Sequence, residues 1–332
     1  MSPQEPSRRK PSKKVARPTP GPATDSRQTS RRKTLSDWLD LQQRVHDLLI
    51  GEDPQGFAPI FEALHAELQE QGTDHPDATL TTLIYLGATE IDLYSATHSI
   101  LVSVLCGLVA RDVLRWPAQH ADSVGKAALS MNIEMTVLQD ILSRQSVRPS
   151  PEQQRLIDLH SQLSADLLQE FGIADPLWLE AVRHHHDKQP GPLEARPPFS
   201  RLARLIERSD VYAARLAPRA GRRPLAPEVA MESCRLDENG QVDEAGSALI
   251  QAIGAYPPGS AVRLVNGETG IVVGRSPSGR SPPVVALMDG KALALKKPAL
   301  RNTGLLQYQV QESTAHRSLG STADLKIILK LI

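Results

Sequence analysis

Between Leu35 and Ile253 apolar residues recur at helical spacing in one segment after another, with no stretch that alternates as a half-buried strand must. This pattern constrains the fold most. Thr34 offers an N-cap before Trp38, Leu41, Val45 and Leu49, and Gly51 and Pro54 close that helix. Phe57 to Gln71, Thr79 to Leu93, Thr97 to Leu114, Val124 to Leu142, Glu152 to Glu170, a segment opened by Asp175-Pro176, Arg201 to Leu216 and Pro227 to Cys234 follow as predicted helices. Helices packing on helices give an all-α domain over 35–255. The pattern changes after Tyr256-Pro257-Pro258-Gly259. Short β-rich runs around Asn266-Gly267 and Asp289-Gly290 predict a small β-hairpin appendage over 256–302, read as a structural cap, and 303–332 is expected to be a C-terminal tail. The fold class expected is mainly α with a small C-terminal β appendage.

Charge matters only at the N-terminus, because Lys plus Arg and Asp plus Glu balance at 38 each. Residues 1–34 hold Arg8, Arg9, Lys10, Lys13, Lys14, Arg17, Arg27, Arg31, Arg32 and Lys33 against Glu5 and Asp25, with much Pro and Ser. Too little apolar area is available there to offset ordering entropy, so a disordered basic tail is expected, able to touch acidic surfaces. No apolar run follows these charges as a secretory signal requires. Ser99 to Ala110 is too short to span a bilayer and reads as a buried core helix. Cys106 and Cys234 have no disulfide or metal-finger spacing, and a cytoplasmic protein without a transmembrane segment is expected.

Five metal-competent residues interrupt the apolar pattern: His98, His160, His185, His186 and Asp210. Taken singly, each has an ordinary explanation as a surface or satisfied core residue, and His184 to His186 suit a helix C-terminus. Together they are the residue types with which helical bundles build metal sites.

Their order resembles the HD-GYP metal-dependent phosphohydrolases. Tyr94-Ser95-Ala96-Thr97-His98-Ser99 is similar to the helix with the family's first histidine, and His160 after Glu152 and Ile157 to the next. Val182 to Asp187 resembles the His-His-Glu element, with Asp187 in place of Glu, and Arg204 to Ala214 the stretch bearing the last aspartate. Tyr256 to Gly270 resembles the closing segment. The resemblance covers about two-thirds of the chain. It implies cyclic di-GMP hydrolysis by two or three iron or manganese ions that polarise the phosphate and activate a water.

Three departures stand out. Met131 and Asn132 occupy the positions of the histidine–aspartate pair, with Glu134 and Met135 at the following glycine and lysine. Asn132 offers one carbonyl oxygen and no charge, and Met131 a soft thioether, so Asn132 and Glu134 rank only as weak substitute ligands. Gln189 to Pro192 replaces the GYP loop, and Arg222-Arg223-Pro224-Leu225 is what remains of RPYR. The expectation is a degenerate HD-GYP-like protein, catalytically impaired, acting in signalling through a cyclic dinucleotide or a signalling protein. Its divalent metal is present only if the site is occupied. The alternatives are an active phosphodiesterase with an altered metal site, and a helical scaffold whose likeness is architectural.

Overall fold

The computed structural model describes residues 29–220, 224–276, 281–322 and 324–332. The basic tail up to residue 28, with Arg222, Arg223 and Arg280, lies outside the described residues.

The helical part begins with α1 (Leu35–Leu49), where Thr34 and Asp37 form a reciprocal capping box. It continues through α2 (Pro54–Asp74), α3 (Pro76–Thr89) and α4 (Tyr94–Leu108), which is extended by a π turn, Val109–Val113. Then come α5 (Ala118–Ser130), α6 (Thr136–Arg144), α7 (Pro151–Glu170), α8 (Pro176–Arg183), α9 (Pro198–Leu216), α10 (Pro227–Arg235) and α11 (Glu244–Ile253). Starts are marked by Asp53, Ser150, Asp175 and Asp243 caps and by Pro in the first turn of several helices; α11 was not foreseen from the sequence.

Every residue of α4 is buried, which explains its all-round apolar character: it is the central helix, packed by α1, α2, α3, α5, α6 and α9. With the π turn it is longer than the apolar run suggested. Tyr94–Val113 has 20 residues, and its most apolar 18-residue window has a mean hydropathy of 1.4, enough to cross a membrane by length and composition, yet 83% of that window is buried inside the fold.

The predicted helix Val124 to Leu142 is broken. α5 stops at Ser130, a 3-10 turn covers Ile133–Met135, and α6 restarts at Thr136. No Gly or Pro announces this. The freed backbone groups are satisfied locally: the Thr136 hydroxyl donates to the Asn132 and Ile133 carbonyls, and the Glu134 amide donates to Ser164 Oγ on α7.

The appendage is one five-stranded antiparallel sheet, not separate hairpins. β1 (Ala261–Leu264), β2 (Thr269–Val272), β3 (Val284–Met288), β4 (Ala294–Arg301) and β5 (Val310–Ser313) lie in the order β4-β3-β2-β1-β5. β5 and a final helix, α12 (Leu325–Lys330), fall where a tail was expected. β5 pairs with β1 beyond the reach of local alternation, so its membership in the sheet is a long-range fact. One sheet face packs Ala261, Ile271, Val285 and Leu287 against Tyr85 and Leu86 of α3 and Leu325, Ile328 and Leu329 of α12. Pro298 sits in edge strand β4, where a missing N–H costs least.

Candidate metal centre

Three helices and one turn bring the five sequence-predicted residues to one place. His160 lies on α7, and His185 and His186 in the turn that ends α8. His98 is one turn into α4, and Asp210 is on α9. α9 packs on both α4 and α8, and α7 packs on α8, so the chemistry follows from helix packing.

Two subsites result. In the first, His160 Nε2 stands 3.2 Å from His185 Nε2 and 3.2 Å from His186 Nε2. One ligand atom of each of the three lies within 4.8 Å of the others. His160 Nδ1 donates to the Ile157 carbonyl and His185 Nδ1 to the Val182 carbonyl, both at 2.6 Å. These bonds place the ring protons on Nδ1 and leave the Nε2 lone pairs facing one another. Burial, and then the neighbouring imidazoles, hold His185 well below its ordinary pKa. Burial comes first for His160 and His186 too, adding to His186's charge in one and offset by Asp210 in the other; both are lowered. Three neutral imidazoles with converging lone pairs suit a divalent cation.

In the second subsite His98 Nε2 meets Asp210 Oδ1 at 2.7 Å. Burial would raise Asp210, but the His98 hydrogen bond and the charges of His98, His186 and His185 outweigh it and hold the carboxyl well below the usual range. Asp210's field also reaches His160, so it acts on all four histidines.

The positions expected to be weak substitutes fare differently. Asn132 is buried at the break between α5 and α6, and Met131 belongs to the hydrophobic core. Glu134 is solvent-exposed, its carboxyl raised by partial burial and by the charge of Glu170, and it is not part of the three-histidine cluster. Among the described residues no carboxylate joins the three histidines within ligand-cluster distance. His184 turns away, bonding Asp187 at 2.8 Å and pairing with Glu180.

Some site residues were not read from the sequence. Tyr94 lies beside His98 with ring centroids 5.5 Å apart. Arg219 donates to the Tyr94 hydroxyl at 2.9 Å, stacks over its ring, and keeps a buried Nε with no partner among the described residues. The motif reading named Arg222 and Arg223, which lie outside the described residues. Asp140 on α6 caps α4, accepting from the Ser95 amide (2.8 Å) and hydroxyl (3.0 Å) and pairing with His46. No motif points to it, because its role depends on where α6 lands. Burial pushes the Cys106 thiol up to about 12, so this neighbour of Ser209 and Asp210 is an inert core group.

No protein-family model matches the chain. The cyclic di-GMP phosphodiesterase PA4108 of Pseudomonas aeruginosa is 32% identical over 206 residues, 60% of this chain and 48% of that protein. The chain is similar to this cyclic di-GMP phosphodiesterase and spans about half of its length. Among solved structures, Bd1817, an HDG"Y"P protein from Bdellovibrio bacteriovorus, overlays with a TM-score of 0.38 at 14% identity, covering 65% of this chain and 78% of the other.

Proposed function

We propose that this HD-GYP-like protein holds a single divalent cation at His160, His185 and His186 and binds a cyclic dinucleotide beside it, with hydrolysis much weakened. The observation that supports this reading is the convergence of three neutral imidazole Nε2 atoms with no carboxylate among them. The cation, iron or manganese, would polarise a phosphate oxygen and acidify a water when bound. The chain's own residues do the rest. Asp210 supplies negative charge to all four histidines but is bonded directly to His98, and so is a poor bridge to a second cation. Arg219, half-buried on the Tyr94 side, offers a cationic group to a phosphate. Asn132, at the position of the bridging acid, keeps the shape and lacks the charge. Losing one preorganised charged contact costs about a hundred- to a thousandfold in rate.

The experiment is metal content by elemental analysis on untagged, anaerobically purified protein, with cyclic di-GMP binding and turnover, repeated on His185→Ala. About one metal per chain, nucleotide binding with little turnover, and loss of the metal in the variant are expected. Two metals per chain with brisk turnover would establish the alternative, an active phosphodiesterase. Neither metal nor nucleotide binding would leave the scaffold reading, in which the site is vestigial and the chain acts through a protein partner.

A further inference from the structure

α4 does not end normally. Its last turn widens into a π turn, with the Leu114 amide reaching back to Val109 O at 2.9 Å. Arg115 then takes a left-handed conformation, φ +53°, and the Trp116 amide bonds Ala110 O at 2.9 Å. A π turn and a left-handed non-glycine residue in succession are strained choices that persist where the surroundings demand them. Here they turn Val113, Leu114 and Trp116 into one wall of a cleft of about 610 Å³.

The opposite walls are α11, the start of α9, and the loop that follows the histidine turn. Leu193 and Glu194 come from that loop, Arg201 from α9, and Glu244, Ser247 and Gln251 from α11. The loop is fastened at the cleft: the Leu193 amide donates to Glu244 Oε2 at 2.7 Å, and Arg201 holds the Arg196 and Glu194 carbonyls at 2.9 and 3.0 Å. By contrast, the side chains of Glu194, Ser247 and Gln251 have no partner among the described residues. The volume is in the range of small-molecule pockets. Leu108, the last α-helical residue before this wall, is ten residues beyond His98, about 15 Å at the helical rise, and no histidine of the metal centre lines the cleft.

We propose that this cleft is a second binding site, for the guanine ring of a nucleotide. Trp116 provides a stacking face for a flat heteroaromatic ring. The free Glu194 carboxylate is an acceptor suited to the adjacent ring N–H and amino group of guanine. Arg201 and Gln251 can donate to the guanine O6 and N7 edge, a pairing in which arginine is favoured. Adenine presents an acceptor where guanine presents its ring N–H, and so loses the Glu194 contact. The assignment does not depend on the metal centre. Because one wall is the loop leading from His186, occupancy would also bear on the position of that histidine.

The test uses the full chain and tryptophan fluorescence. Trp38 and Trp178 are each 2% exposed, so a bound base is read mainly through Trp116. GMP, GTP and cyclic di-GMP are titrated, with AMP as the control, against the native protein, Glu194→Gln, Trp116→Phe and His185→Ala. Saturable quenching by at least one guanine nucleotide is expected. It should weaken about ten- to a hundredfold in Glu194→Gln, an exposed residue whose change leaves folding intact, and persist in His185→Ala. Comparing GMP with cyclic di-GMP distinguishes a mononucleotide from a dinucleotide as the source of the base. No guanine nucleotide quenching up to millimolar concentration would overturn the proposal. So would equal response to AMP, insensitivity to Glu194→Gln, or loss of the signal in His185→Ala, which would assign the binding to the histidine centre instead.

Discussion

Asn132 has nearly the volume of an aspartate and none of its charge, and on that difference the proposed loss of activity turns. If the missing charge is what limits the site, Asn132→Asp restores part of it. The expected outcome is a rise of at least about tenfold in manganese-supported cyclic di-GMP turnover, read by product formation. Metal per chain should rise alongside. In the absence of metal the same variant should be less stable, since a carboxylate replaces an amide at a buried position. No gain in turnover would move the deficit to Met131, whose buried side chain offers no nitrogen ligand. The grouping of the candidate ligands was largely legible, because His and Asp on apolar helices are conspicuous: His98 lies against Asp210, and His160 against His185 and His186. The direction of Glu134 was not legible, since spacing along the chain does not fix direction once the helix ends at Ser130. Arg219 was invisible because its role depends on stacking against Tyr94, a contact 125 residues away in sequence.

At the scale of elements, helix existence followed from periodicity and caps, while junctions followed from tertiary contacts. The junction of α2 with α5 shows why. His65 on α2 is 2% exposed, lies 3.2 Å from Gln69 Nε2, and faces Asp122 of α5 at 3.6 Å. Gly125 on α5 makes room for it, since a Cβ there would lie 2.7 Å from His65 Nε2. Burial, opposed by Asp122 and aided by Lys126, pushes the imidazole down to about 4 from an ordinary 6.5. The folded state therefore refuses a proton that the unfolded chain accepts in that window. Stability from this group is fully present above pH 6.5 and is lost as the pH falls towards 4. A loss on the order of 1–3 kcal/mol is expected across the window. His65→Gln should flatten the pH dependence of chemical denaturation there, and an unchanged slope would show that other groups set the acid sensitivity.

Among the described residues there are two main hydrophobic centres and a small third one on the other face of the sheet, and the link between the two large ones could not be read locally. The larger core gathers α1 to α5 and α7 to α11, while the smaller one joins the sheet and α12 to Tyr85 and Leu86 at one end of α3. Short strands with Asn-Gly and Asp-Gly turns announced β1 to β4, but β5 and α12 have weak local signals and owe their order to β1 and α3. Even the described end of the basic segment is enlisted: Arg32 donates to the Leu329 and Ile332 carbonyls, the Ser30 amide to Asp74, and Gln71 to the Arg31 carbonyl. Ile328 is fully buried where α12, α3 and the sheet meet. Ile328→Ala should cost about 2–5 kcal/mol by the cavity it leaves. Because the histidine centre draws its rigidity from the other core, hydrogen exchange should accelerate in the sheet and α3 while metal content holds. If metal is lost in step with the sheet, the two cores unfold as one cooperative unit, and the appendage is part of what holds His98 and Asp210 in place.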